Sequence, residues 1–354
     1  METVEADSIE QAIELTYELG WTDGLPVVPP TTVLIQKAMD YFKRDPEEVL
    51  GVVPPANRIA TVENVVMNCI MAGCLPEHIP VVFAALEAVL TPEFNLNGVQ
   101  ATTNCVGPLI IVSGPVVEQL NFNYGDNVFG GGARANAVVG RALRLILWNL
   151  GGAYPGDIDR ATLGHPGKYA YCIAERPDLP WEPIHVERGF NVDESCVTVF
   201  ACESPHHIGT GSGYDYPVED VFYTLADSMA TAGNNNMCGG GQMLLILGPM
   251  TAHRLREEGY DKNSVRRKLQ ELATRPVGLM KRSHFLTSDH PYHWSHNVDA
   301  SNDEARVPLI RNIDDLLVTV AGGWGSGSGF CAFCPGWMQA GGFAETRSIK
   351  FPRS

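Results

Sequence analysis

No apolar run in the chain reaches the length of a membrane-spanning helix, about 20 residues. Basic residues are scarce. Twenty-five Lys and Arg stand against 41 Asp and Glu, a formal net charge of −16, which argues against nucleic acid and anionic membranes as partners. The acidic start Met1-Glu-Thr-Val-Glu-Ala-Asp7 lacks the basic and apolar regions of a secretory signal, so a cytoplasmic location is expected. No second Cys-x-x-Cys accompanies Cys331 and Cys334, which excludes a self-contained zinc ribbon. The nine cysteines are odd in number and dispersed, and this suits a reduced protein better than a disulfide framework. The glycine run Gly130-Gly-Gly-Ala-Arg-Ala-Asn136 lacks the Walker lysine and the dinucleotide spacing. No low-complexity linker divides the 354 residues.

The chain is 45% hydrophobic and 19% charged, enough for a large core. Ser8 opens an amphipathic helix to Leu19, and Thr31 or Thr32 opens a second to about Phe42. Thr61 opens a third through Cys74; Val81–Leu90, Ala137–Leu150 and Val218–Ala230 also read as helices. Four apolar runs have strand length: Leu109–Val112, Val197–Ala201, Leu244–Leu247 and Leu316–Ala321. Their alternation with helices predicts an α/β fold with one mixed central sheet and flanking helices. Cys105-Val-Gly-Pro-Leu-Ile-Ile-Val-Ser-Gly-Pro115 is echoed by Cys238-Gly-Gly-Gly-Gln-Met-Leu-Leu-Ile-Leu-Gly-Pro249. The echo suggests internal duplication of a strand–Gly-Pro–helix unit, with convergence on a common βα unit as the alternative. Residues 1–60 are expected to pack an N-terminal helix and Pro-rich segments onto a single interleaved α/β unit spanning 61–354. The Pro-rich segments also motivate an expectation of homo-oligomers.

Candidate chemistry sits where strands end in glycine-rich loops, the edge at which open α/β sheets place ligands. The run Leu316–Ala321 leads into Gly322-Gly-Trp-Gly-Ser-Gly-Ser-Gly-Phe-Cys-Ala-Phe-Cys334. Cys331 and Cys334 could share a metal, cycle as a redox pair, or lie buried as inert thiols. His206 and His207 follow another strand, and imidazole serves both as metal ligand and as general base. Cys105 lies beside Asn104, and Cys238 beside Asn236; these amides could hold a ligand or orient a thiolate. Arg134 follows Gly130-Gly-Gly132 at a helix start, where it could fork onto a substrate carboxylate.

Several segments resemble an uncharacterised bacterial family whose members are often encoded beside small proteins with a U-G-S-C or C-G-S-C motif, U being selenocysteine. The resemblance rests on Gly20-Trp-Thr-Asp-Gly-Leu-Pro-Val-Val-Pro-Pro-Thr31, Met71-Ala-Gly-Cys74 and Phe94-Asn-Leu-Asn-Gly-Val-Gln-Ala-Thr-Thr103. It continues in Ala161-Thr-Leu-Gly-His-Pro-Gly-Lys168, Pro180-Trp-Glu-Pro-Ile-His185 and Thr346-Arg-Ser348. It implies a small UGSC/CGSC-type protein as a possible partner and carries no assigned reaction. Where the family tends to show Thr-Thr-His-Pro, this chain has Thr102-Thr-Asn-Cys105. Where the family shows Gly-Lys-His-Ser after the last strand, it has the glycine loop and Cys331-x-x-Cys334.

The resulting expectation is a metal-dependent enzyme: a lyase, hydrolase or oxidoreductase acting on a small carboxylate- or sulfur-containing substrate. Cys331, Cys334, His206 and Cys105 would hold zinc, iron or copper. His207 or Glu203 would carry protons, and Arg134, Asn104 and Asn236 would bind substrate. The alternatives are a thiol-disulfide oxidoreductase using Cys331 and Cys334, and a non-catalytic subunit that completes a partner's site.

Overall fold

The apolar runs fold as strands whose two faces are both buried, and they divide between two four-stranded sheets, beside two further two-stranded ones. In a computed structural model, which describes residues 4–212 and 216–352, eight strands form two four-stranded sheets. In chain order they are β1 (Gly107–Ser113), β2 (Cys172–Ala174), β3 (Cys196–Cys202), β4 (His206–Ser212), β5 (Met243–Leu247), β6 (Leu316–Val320), β7 (Ser328–Pro335) and β8 (Glu345–Ser348). The first sheet has the order β8-β3-β1-β2 and the second β6-β5-β7-β4. The α/β class stands. The single central sheet is corrected, because Leu109–Val112 and Val197–Ala201 lie in the first sheet while Leu244–Leu247 and Leu316–Val320 lie in the second.

Alternation of side chains along each strand explains the stacking. Ile110, Val112, Val197 and Val199 face one helical layer. It contains α1 (Val62–Ala72), α2 (Ile79–Val89) and α3 (Arg134–Asn149). Leu245, Leu247, Val318 and Phe333 face a second layer, with α4 (Val218–Met229), α5 (Pro249–Glu257) and α6 (Lys262–Leu272). The intervening positions Leu109, Ile111, Phe200, Leu244, Ile246, Leu317 and Ala332 form one cluster from both sheets. The layers therefore run helices, sheet, sheet, helices. The N-terminal segments add Val27, Ala38, Met39, Phe42 and Val53 to the first core.

The two sheets repeat one pairing plan. β1 is parallel to β2 and antiparallel to β3, as β5 is parallel to β6 and antiparallel to β7. The fourth strands are exchanged. β4 follows β3 in the chain but pairs with β7, and β8 follows β7 but pairs with β3. Ser113 faces Cys196 across the first pair, and Leu247 faces Cys331 across the second.

Local signals set the helix starts as the sequence indicates. The side chains of Ser8, Thr31 and Thr61 accept from the backbone amides of Gln11, Leu34 and Asn64. No single described helix is long and apolar enough to cross a membrane. The apolar stretches Val62–Ala72 and Pro76–Val89 meet at 117°, and their side chains belong to the first core.

The inter-sheet layer should dominate stability. Phe200 is fully buried there, and its truncation to alanine is expected to cost about 3–5 kcal/mol. Val192, 69% exposed, should tolerate alanine within about 0.5 kcal/mol. Urea denaturation of both variants measures the difference.

Candidate functional site

Cys331 and Cys334 do not lie in a loop. The glycine loop ends by Gly327, and both cysteines belong to β7. Residues three apart on a strand point to opposite faces. Cys331 accordingly packs in the second helical core and Cys334 between the sheets. They cannot grip one ion together or close a disulfide in this conformation. The backbone amide of Gly248 and the hydroxyls of Thr251 and Thr210 face Cys331, but burial outweighs them and pushes its thiol up to about 11. His206 is exposed and lies opposite Phe333 on β4. Among the described residues no group of three or more His, Cys, Asp or Glu side chains is placed to hold a metal ion. The proposed set Cys331, Cys334, His206 and Cys105 is thus not assembled.

Three other expected site residues are placed elsewhere. Arg134 donates from Nε and Nη2 to the Gly73 carbonyl at 3.2 and 2.8 Å, closing the C-terminus of α1. Asn236 is fully buried. It accepts from the Gly336 amide at 2.8 Å and donates to the Gly240 and Gln242 carbonyls at 3.0 Å each, so it staples a turn to β7. His207 is exposed and stacks on Phe330, with ring centroids 4.8 Å apart.

Asn104, Cys105 and Glu203 do come together, at the edge of the first sheet where β1 begins and β3 ends. Antiparallel pairing of Gly107 with Cys202 brings these two chain segments side by side. Asn104 Oδ1 accepts from the Val106 amide at 2.9 Å, and its Nδ2 donates to Glu203 Oε1 at 3.0 Å. The backbone of Glu203 is held from both sides. Its amide donates to the Pro335 carbonyl at 2.8 Å, and its carbonyl accepts from the Tyr171 hydroxyl at 2.8 Å. Cys105 is one of two partly exposed cysteines, with Cys74. Burial and the Glu203 carboxylate push its thiol up, and the Lys168 ammonium pulls it back. Burial also raises the Glu203 carboxyl, against the Asn104 hydrogen bond.

The remaining groups come from residues 159–171; in the sequence, Ala161–Lys168 enter only through the family resemblance, and none of these residues is assigned a role in the site. Lys168 Nζ donates to Asp159 at 2.8 and 3.0 Å. Burial lowers its ammonium, and Asp159 opposes that. His165 Nδ1 accepts from the Gly167 amide at 3.1 Å. Its ring meets Tyr171 edge-on at 5.2 Å, and Phe129 leans on Tyr171 at 6.1 Å. Burial and the Lys168 and Arg144 charges lower the His165 imidazole to about 4. The loop is tied to the site by Thr162, whose amide donates to the Thr103 carbonyl at 3.1 Å. The available signal was a histidine and a lysine at Gly164-His-Pro-Gly-Lys168, among turn residues that order a polar loop.

This arrangement can do acid–base and nucleophilic chemistry. It offers an accessible thiol, a half-buried carboxyl on its own amide tether, and an ammonium fixed by a second carboxylate. No protein-family model matches the chain, and no curated protein matches its sequence.

Two predictions follow from the burial pattern. Native alkylation with iodoacetamide should label Cys105 and Cys74 first, and Cys331 and Cys334 only on unfolding, as read by peptide mass mapping. His165 should also make stability depend on pH. Its folded pKa lies near 4, below the unfolded value of about 6.5. The contribution is therefore complete above about 6.5 and lost as pH falls towards 4, by up to about 3 kcal/mol. Denaturant midpoints across that window should fall less steeply in His165→Gln than in the parent.

Proposed function

We propose that the chain is a thiol-dependent enzyme that transfers or hydrolyses an acyl-type group of a small polar substrate, with Cys105 as nucleophile. The observation that carries the reading is the meeting of Cys105, Glu203 and Lys168 at one sheet edge, with the carboxylate and the ammonium acting in opposite senses on the thiol.

Glu203 takes the proton from Cys105 Sγ: burial raises the carboxyl, which makes it a stronger base, and Lys168 offsets part of the rise that burial and Glu203 impose on the thiol. The thiolate attacks the electrophilic carbon and forms the carbon–sulfur bond, while the carbonyl electron pair moves to oxygen. Lys168, held by Asp159, offsets the negative charge that develops. Collapse of this intermediate expels the leaving group with the proton from Glu203. Glu203 then deprotonates a water that attacks the thioester, and Cys105 leaves with the proton. Asn104 fixes the Glu203 carboxylate, and Tyr171 fixes its backbone.

The reading differs from the metal-dependent expectation in its residues. Cys105 and Glu203 remain central, and Cys331, Cys334 and His206 are removed from the chemistry. Lys168 and Asp159 enter.

A panel of small esters, thioesters and amides, followed by intact-mass detection of a covalent acyl-enzyme, tests it. Cys105→Ala should abolish both turnover and adduct. Glu203→Gln should lower turnover by roughly 10²–10⁴-fold with its fold retained, and Cys331→Ala should leave activity within about twofold. Full activity in Cys105→Ala, or an adduct only on another residue, would sink the proposal. Metal analysis of the same anaerobically purified protein separates it from the metal-dependent alternative, which requires bound metal that falls in Cys105→Ala.

A further inference from the structure

Cys74 is the other partly exposed cysteine, and the chemistry above does not use it. It follows α1 in the stretch Met71-Ala-Gly-Cys74. The chain turns there through Gly73, whose φ of 92° is left-handed. The Cys74 amide donates to the Cys69 carbonyl at 2.9 Å, and the Gly73 amide to the Ile70 carbonyl at 2.8 Å. These two bonds fold the residue after the glycine back over the last helical turn, so that its side chain meets the one five residues earlier. The contact is ordinarily between two apolar side chains. Here both are thiols, and Cys69 and Cys74 are in hydrogen-bond contact. The turn is braced from α3: Arg134 holds the Gly73 carbonyl, and Cys74 Sγ lies 3.5 Å from the Val138 carbonyl.

The two thiols differ in access. Cys69 is fully buried, and burial and the Cys74 thiol push its pKa well up. It is shielded from solvent and faces the Cys74 sulfur. A third thiol, Cys172, lies in the same neighbourhood. It is buried, points to the Ile173 carbonyl at 3.9 Å, and is pushed up by burial and by Cys74; no shared turn ties it to Cys74.

We propose that Cys74 and Cys69 are a dithiol pair oxidised by hydroperoxides, with Cys74 as the attacking thiol and Cys69 as the resolving one. Cys74 Sγ, as its thiolate, attacks a peroxide oxygen. The sulfur–oxygen bond forms, the oxygen–oxygen bond breaks, and the proton from Cys74 leaves with the alcohol or water. Cys69 Sγ then attacks the Cys74 sulfur. The disulfide forms, the sulfur–oxygen bond breaks, and the hydroxide leaves as water with the Cys69 proton. Two electrons pass from two thiols to one peroxide, and a small dithiol reverses the change. A turn closed by backbone bonds on both residues keeps the two chain positions together, the condition for a disulfide without chain movement.

Neither cysteine belongs to the Cys105 group, and the test reads a peptide that excludes Cys105. Glu63 and Glu77 flank both residues, so cleavage at glutamate releases them in one fragment, residues 64–77. The reduced full chain is exposed to hydrogen peroxide with dimedone, which traps sulfenic acids, then blocked with iodoacetamide and mapped by mass. In the parent, this fragment should lose two hydrogens, resist alkylation at both cysteines, recover both thiols in dithiothreitol, and carry no dimedone. In Cys69→Ala, dimedone should appear on Cys74. Dimedone on Cys74 to the same extent in the parent, oxidation of Cys74 that stops at the sulfinic acid, a disulfide joining Cys74 to Cys172, or a fragment left fully reduced would each overturn the pair. Should Cys69→Ala not fold, the parent decides alone: loss of two hydrogens within this single fragment supports the pair, and its absence overturns it.

Discussion

The layer where two sheets meet is the constraint on which the rest depends. Leu109, Ile111, Phe200, Leu244, Ile246, Leu317 and Ala332 interlock in it, and the exchanged strands β4 and β8 prevent the sheets from separating as independent units. Each half lends its last strand to the other, so neither sheet is complete without the opposite half. Burial on both faces of every central strand supplies the hydrophobic driving force for this arrangement.

The same crossing builds the site. As β3 ends, the chain must leave the first sheet to reach β4 in the second, and Glu203 lies at that departure. Its amide is bound to Pro335, at the end of β7, from which the chain returns towards the first sheet. The hydroxyl of Tyr171, just before β2, donates to the Glu203 carbonyl. The carboxyl that faces Cys105 is thus anchored where the two halves exchange strands. The second half carries the same strand plan with different chemistry. Met338 follows β7, and a side chain on Gly239 would collide with its sulfur at 2.6 Å; this thioether and the buried Asn236 amide, bonded to Gly336, occupy this edge.

Electrostatics then distribute the roles. Cys105, Glu203, Lys168 and His165 are all partly desolvated, and desolvation is the first cause of each shift. It raises the thiol and the carboxyl and lowers the ammonium and the imidazole. The thiol and the ammonium are thereby brought closer, and so are the carboxyl and the imidazole. Cys331 meets the same desolvation inside the helical core without access to solvent, and is a core residue.

Capping residues, helix positions, strand runs and the α/β class were legible in the sequence, because they depend on neighbours a few residues away. Ser8, Thr31 and Thr61 act as the caps their side chains suggest. The pairing of Asn104 and Cys105 with Glu203 was within reach for a related reason, since all three flank strands. Sheet number was not legible. A strand between a helix and a second sheet is as apolar as one between two helical layers, so periodicity cannot separate them. A Cys-x-x-Cys spacing allows a shared metal, a redox pair or inert buried thiols, and in an extended strand it sends Cys331 and Cys334 to opposite faces. The sequence by itself determined the capped helices, four apolar strands and where a reactive thiol could stand; the strands that hold His206 and Cys331 have glycine-rich sequences that carry no strand periodicity. Only the tertiary structure decided that Lys168, Asp159 and His165 join that thiol, because their meeting depends on pairing between strands far apart in the chain.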